Sequence, residues 1–204
     1  SNNSFKPSPL RGLVQVLLDF PLAQGRKSVR LNSALAVIAE HMIDLLPRAA
    51  EGVVLRRLTA TDLADFQSYR QDPELGRYQG WVATSDKDAR DFLQHMNQAP
   101  LLQPGSWCQI GIADANDLHL IGDIGLILAS DCRQAEIGFT LRRQSHGRGL
   151  ATAAVKGAIG LVFESTSAEK VVGIADTRNL PSIRLLERAG MHRVETRSAK
   201  SNGK

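Results

Sequence analysis

Cysteine is scarce, at two in 204 residues, and Cys108 and Cys132 stand alone, without the paired spacing of a metal site or a disulfide framework. A reducing compartment with free thiols follows, so the cytoplasm is the default location. Long apolar runs are missing too. The longest near the start, Gly12 to Leu18, stops at Asp19 and leads to no small-residue cleavage site, which argues against an anchor and against a signal peptide. There is no basic block: 25 Lys and Arg against 21 Asp and Glu leave a formal charge of +4, spread along the chain, which suits an anionic ligand better than nucleic acid. His41, His95, His119 and His192 are scattered and make no metal-ligand set. Internal repeats are absent. What is present is ordinary: 43% apolar and 23% charged residues, enough for one domain with a real core and room for an appendage.

The first fifty residues read unlike the rest and are taken as an N-terminal extension, 1–50, before a domain at 51–204. Ser1 to Pro9 is a polar, Pro-punctuated tail. Leu10 to Leu22 fits a short amphipathic helix or a strand. Asn32 or Ser33 caps a helix over 34–46, stopped by Pro47, with Leu35, Ile38, Met42 and Leu45 on one face. Met42 is the first methionine, so residues 1–41 are read as an alternative-start extension, with the domain beginning near that residue.

From Gly52 the local signals sharpen. Val53 to Leu58 alternates as a strand, and Thr59-Ala-Thr-Asp62 is a capping box opening a helix to about Arg70. Asp72-Pro73 breaks it, and Leu75 to Val82 is a loop or short helix carrying Tyr78 and Trp81. Ser85-Asp-Lys-Asp88 caps a helix to about Asn97. Strands follow at 107–113, 119–128 and 135–141, the first two joined as a hairpin by Asp114-Ala-Asn-Asp117. A helix from Leu150 to about Ser165 leads to Lys170–Ala175, an apolar run suited to a parallel strand buried on both faces. Asn179, Pro181 and Gly190 mark the N-cap, first turn and C-cap of a last helix, and Met191 to Thr196 a last strand. The order β-α-α-β-β-β-α-β-α-β is an α/β arrangement on a mixed sheet.

One stretch concentrates the chemistry. Between the strand ending at Leu141 and the helix from Leu150 lies a turn with two glycines, Gly147 and Gly149, and three guanidiniums, Arg142, Arg143 and Arg148. A strand, a Gly-rich bend and a helix N-terminus in a row present free backbone N–H groups and a positive dipole end, a place that attracts phosphate. Gly147-Arg-Gly149-Leu-Ala-Thr152 nearly matches the dinucleotide fingerprint, but Thr152 replaces its third glycine and the motif follows three antiparallel strands instead of opening the domain.

Gln144-Ser-His-Gly147-Arg-Gly149-Leu-Ala151, after Glu136-Ile-Gly-Phe139, resembles the acetyl-CoA loop of the GNAT superfamily of N-acetyltransferases, Gln/Arg-x-x-Gly-x-Gly/Ala. Asn179-x-x-Ser182-x-x-Leu-Leu-Glu-Arg-Ala-Gly190-Met resembles its second signature, about thirty residues on. The resemblance covers about 53–196. Asp72-Pro-Glu-Leu with Tyr78 and Trp81, and Leu120-Ile-Gly-Asp-Ile-Gly-Leu126, look most like the branch that acetylates the N-termini of ribosomal proteins. The resemblance implies a mixed, mostly antiparallel twisted sheet with splayed parallel fourth and fifth strands and helices on both faces. It implies acetyl-CoA as cofactor, an amine acceptor that is a peptide N-terminus or a small molecule, and no nucleic acid, membrane or metal.

It also implies site residues. Phe139, Thr140 and Leu141 would offer strand backbone to the pantetheine arm and an N–H to the oxyanion. Arg142, Gln144, Ser145, His146, Gly147, Arg148, Gly149, Leu150, Ala151 and Thr152 would form the phosphate loop, with His146 turned to solvent or phosphate, and Asn179 would be a polar contact opposite. Many members carry a tyrosine proton donor seven residues after the asparagine, where this chain has Leu186; in the similar branch the serine three after it takes the role, which points to Ser182. Glu136 is the candidate base, acting through water. Tyr78 and Trp81 fit either an acceptor pocket or core packing. An alternative keeps the fold and drops the activity, as a coenzyme-A-binding sensor or interaction module. After Thr196 only eight polar residues remain, too few for the family's seventh strand. Either the domain is short there, or residues 10–31 or a neighbouring chain complete the sheet, and a bare edge would favour a homodimer.

Overall fold

The computed structural model describes residues 14–21, 45–79 and 84–198. Eight strands form one sheet: β1 (Val14–Pro21), β2 (Arg48–Ala50), β3 (Val53–Arg56), β4 (Trp107–Asp114), β5 (Leu120–Leu128), β6 (Gln134–Leu141), β7 (Lys170–Asp176) and β8 (His192–Ser198). The helices are α1 (Leu63–Arg70), α2 (Pro73–Gly76), α3 (Asp86–Gln98), α4 (Leu150–Ser165) and α5 (Leu180–Arg188). The strand order is β2-β3-β4-β5-β6-β7-β1-β8, antiparallel throughout except for β6 beside β7.

The local rules account for the helix boundaries. Ser85 Oγ accepts the Asp88 N–H at 3.1 Å and starts α3. The Thr59 N–H donates to Asp62 Oδ2 at 2.8 Å, so the expected capping box is present, although its first turn, Ala60–Asp62, is a 3₁₀ turn ahead of α1. Asn179 Oδ1 accepts the Ser182 N–H at 3.3 Å, and Gly190 at φ +100° ends the turn after α5.

Apolar side chains lie on both sides of the sheet. On one, Cys108, Ile110 and Ile112 of β4, Ile124 and Leu126 of β5 and Ile137 of β6 meet the alanine-rich face of α4 and Ile183 and Leu186 of α5. On the other, Leu58, Phe66, Tyr69, Leu93, Met96 and Leu120 pack under α1 and α3. Each fully buried aliphatic or aromatic side chain here stabilises by about 1.5–3 kcal/mol. Beneath α1 the Tyr69 hydroxyl donates to Asp123 Oδ2 at 2.6 Å, and Arg70 Nη2 donates to the same oxygen at 2.9 Å. Burial, and then the Asp123 charge, push the Tyr69 phenol well above 10.

The N-terminal segment resolves two alternatives that the sequence leaves open. Val14–Pro21 is a strand lying between β7 and β8 and antiparallel to both. Phe20 seals it, against Gly190 and against Phe163, whose ring centre is 5.9 Å away. The sheet is thus completed from within residues 10–31, and with β2 it draws on chain both upstream of Met42 and before the division at residue 50. All of the expected helix over 34–46 except its last two residues lies outside the described residues, as does Trp81. The strand at 170–175 is buried on both faces only at its start: Ile174 is 45% exposed, because β6 has left its side by then.

Candidate functional site

The site begins where β6 and β7 part. They are in parallel register only from Gln134 to Ile137, opposite Lys170 to Gly173. Beyond that, Gly138 to Leu141 keep their antiparallel partners on β5 but have none on β7. The gap is lined by Tyr78, Gln79, Gly138, Phe139, Ile174, Asp176, Asn179, Ser182 and Leu186.

In a strand, backbone groups alternate sides, so Phe139 and Leu141 both turn their N–H and C=O toward the gap. Both carbonyls are covered by side chains. Gln79 Nε2 donates to the Phe139 carbonyl at 2.9 Å, and His146 Nε2 lies 2.7 Å from the Leu141 carbonyl. His146 thereby braces its own loop while its side chain stays exposed, as expected of a residue turned to solvent. The N–H groups of Phe139 and Leu141 are left to face the gap. Thr140 alternates to the other face, buried beside its register partner Asp123, so its side chain stands away from the gap.

Above this edge is the glycine bend. Gly147 and Gly149 sit at φ +77° and +78°, and a Cβ built on either meets nothing within 4 Å, so the space over them is open. No side chain caps α4, and its first helical bond is Ala153 N–H to the Gly149 carbonyl at 3.0 Å. The N–H groups of Leu150, Ala151 and Thr152 precede that bond and have no acceptor within the helix. The side chains of Leu150 and Ala151 are buried, so these two residues offer backbone only. Gln144 is exposed, while Ser145 is buried with its Oγ accepting from Arg142 Nε at 3.1 Å.

The three guanidiniums of the bend already have partners, which no local spacing signals. Arg142 lies 3.9 Å from Asp65, Arg143 Nε 2.6 Å from Asp72, and Arg148 3.5 Å from Asp114. Arg143 and Arg148 are more than half exposed, so their pairs are weak and exchangeable for a phosphate. Hydrogen bonds from Asn116, with Arg148 adding to them, hold the Asp114 carboxyl below its ordinary value.

The far bank belongs to the segment before α5. Asn179 spends its oxygen on the Ser182 N–H, leaving its Nδ2 for the gap. Ser182 Oγ has no hydrogen-bond partner among the described residues. Asp176, nearly sealed off, accepts three bonds from Arg178: the backbone N–H at 2.8 Å, Nε at 3.0 Å and Nη2 at 2.9 Å. Those bonds, the side-chain one foremost, hold its carboxyl below the usual carboxylate range. Tyr78 is half-buried and lines the gap, not the core. Glu136 is not part of the wall; it shares a sheet face with Gly138 and stands opposite Val172, so it is reached from the gap only through intervening space. Leu186 borders the gap but is only 2% exposed, with its side chain close against Gly173. Sequence reasoning missed Gln79, Asp176 and Arg178. Asp176-x-Arg178 directly before Asn179 was a readable signal, whereas nothing local marks Gln79.

Comparison with known proteins follows the same outline. The family model described as "Acetyltransferase (GNAT) domain" matches residues 53–192. The N-acetyltransferase p20 of Bacillus licheniformis is 29% identical over 138 residues, 67% of this chain and 76% of that protein. Among solved structures, a GNAT-family acetyltransferase of Bacillus anthracis superposes with a TM-score of 0.64 at 20% identity, over 72% of this chain and 84% of the other. The aminoglycoside acetyltransferase AAC(6')-Ib in complex with coenzyme A gives 0.60 at 21% identity, over 72% and 88%. At such identities the likeness of the structures carries the fold.

Proposed function

The chain belongs to the GNAT acetyltransferase family, and on that premise we propose that it moves an acetyl group from acetyl-CoA to a primary amine, a peptide N-terminus or a small molecule, by direct attack. The residues present fit coenzyme A: two positive-φ glycines under open space, uncapped N–H groups at the start of α4, and a β6 edge with no strand beside it. The splayed edge is the observation that carries the reading, since only a ligand with both a phosphate group and a long arm uses the bend and the gap together. When bound, the cofactor supplies a thioester carbonyl for attack and a thiolate that leaves.

Everything else is the work of this chain. The N–H groups of Gly147 to Thr152 and the guanidiniums of Arg142, Arg143 and Arg148 hold phosphate. The Phe139 and Leu141 N–H groups face the gap and stabilise negative charge on an oxygen lying there. Ser182 Oγ, uncommitted on the opposite bank, donates to the departing sulfur. Asp176 is a poor proton acceptor, being held ionised by Arg178, so removal of the ammonium proton falls to Glu136 through water. The finer likeness, to ribosomal-protein N-terminal acetyltransferases, rests on the Asp72-Pro-Glu-Leu and Leu120–Leu126 segments.

Thiol release from acetyl-CoA with a panel of peptides and small amines tests the reading. Ser182→Ala is expected to lower turnover about 10²-fold, the lower end for a positioned acid, while coenzyme A affinity is kept. A protein that binds coenzyme A, turns over no acceptor and is indifferent to Ser182→Ala is instead the sensor of the same fold.

A further inference from the structure

The acceptor side of the gap carries a charge pattern that the acetyltransfer reading, on which this inference rests, does not require. The ring of Tyr78 is bracketed by two guanidiniums: the central carbon of Arg77 is 5.4 Å from the ring centre and that of Arg178 is 5.8 Å. Both side chains are more than half exposed, at 61% and 58%, so both reach solvent at the mouth. Arg178 stands between two residues of the wall, Asp176 and Asn179, and Arg77 directly precedes a third, Tyr78. Arg77 is close enough to help lower the Asp176 carboxyl.

The nearby carboxylates do not cancel this. Asp176 borders the gap but is 1% exposed and accepts three bonds from Arg178, which leave its carboxylate little capacity for another cation. Glu74 lies 4.0 Å from Arg77 with both side chains over 60% exposed, a solvent-screened pair of little strength. Glu136 is outside the wall. Arg178 keeps its Nη1, and Arg77 a fork engaged only by the weak Glu74 pair, for an incoming anion.

An ammonium approaching this mouth alone is repelled, and a polycation more so. An amine with a carboxylate on the same short chain carries its own compensation and gains a charge-assisted contact with a planar fork. We propose that Arg77 and Arg178 form an anion subsite beside Tyr78, so that the acceptor is a primary amine bearing a nearby carboxylate, as in an acidic amino acid or a peptide with acidic residues next to its N-terminus, and not a polycation.

Matched peptides Ser-Glu-Glu-Ala-Ala and Ser-Lys-Lys-Ala-Ala, free glutamate and spermidine serve as acceptors in the thiol-release assay. Binding of the same fluorescently labelled peptides to the coenzyme-A-loaded protein is measured alongside. The acidic peptide is expected to have kcat/KM about tenfold above the basic one, with the margin shrinking as salt is raised, and spermidine to be the poorest acceptor. Glutamate acting as well as the acidic peptide assigns the subsite to amino acids; glutamate acting poorly assigns it to peptides. Arg77→Gln should raise KM for the acidic peptide and lower it for the basic one, narrowing the preference, and Arg77→Glu should reverse the preference. Arg178→Lys, which keeps a partner for the buried Asp176, should weaken acidic-peptide binding in the same sense. Equal or better kcat/KM for the basic peptide or spermidine, with turnover present, overturns the subsite and spares the acetyltransfer reading. Should no amine be turned over, that reading fails, and the labelled peptides still decide the subsite by their relative binding.

Discussion

Replacing Gly149 with alanine separates two consequences of the bend. The backbone there is at φ +78°, ψ −9°, and a Cβ meets no protein atom within 4 Å. The loss of stability is then purely conformational, about 1–2 kcal/mol for a non-glycine residue in the left-handed region. In a domain of this size each kcal/mol corresponds to about 2–4 °C in melting temperature. The effect on the cofactor is different in kind, because the new methyl projects into the open space above the uncapped start of α4. Loss of even one charge-assisted hydrogen bond to phosphate, about 1.5–3 kcal/mol, weakens coenzyme A binding about tenfold or more. Urea unfolding measures the first quantity and calorimetric titration with coenzyme A the second. Gly149→Asn pulls them apart, since asparagine tolerates the left-handed region: stability should return while binding stays weak. If Gly149→Ala binds coenzyme A as tightly as the parent, phosphate does not lie over this bend and the cradle argument is refuted.

Three further outcomes are expected. Leu186→Tyr should lose about 1–3 kcal/mol in urea unfolding, because the larger ring must fit beside Gly173 in space the leucine already fills. Gly125→Ala should be costly, since a Cβ there would fall inside the indole of Trp107; a shifted tryptophan emission together with about 1–3 kcal/mol lost to urea is the expected pair of signs. Burial pushes the Asp62 carboxyl up, but hydrogen bonds from Arg56 and Thr59 outweigh it and hold it below the ordinary 3.8. A carboxyl lowered on folding contributes stability that is complete above 3.8 and lost as pH falls through the folded-state value. Asp62→Asn should thus be destabilised at pH 7, with the gap from the parent narrowing in urea titrations below pH 3.8.

Local chemistry was legible and long-range choice was not. Asn179, Pro181 and Gly190 bounded α5 because capping is settled within a few residues, and Gly147 and Gly149 marked the bend because only glycine is at ease at their φ. The hairpin at Asp114–Asp117 followed from turn residues alone. Residues 14–21 were undecidable in the same terms: Gln-Val-Leu-Leu-Asp carries no clean period, and it becomes a strand because β7 and β8 offer edges on both sides. The loop arginines were read correctly as a cluster of charge, but their partners Asp65, Asp72 and Asp114 come from three distant segments, which no spacing rule connects. Gln79 is found only by its contact with a carbonyl sixty residues on.

The insertion of β1 between β7 and β8 sets a schedule as well as a topology. Pro21 and Lys170 are about 150 residues apart, and at about 5–20 residues per second synthesis takes roughly 8–30 s to supply the first of β1's neighbours. Through that interval the earliest-made strand has no edge to join, and the nascent chain carries a segment that pairing rules would let associate with another copy. The sheet can close only once the last strands are made, so truncation after β6 or overexpression that outruns chaperones should appear first as aggregation through residues 14–21.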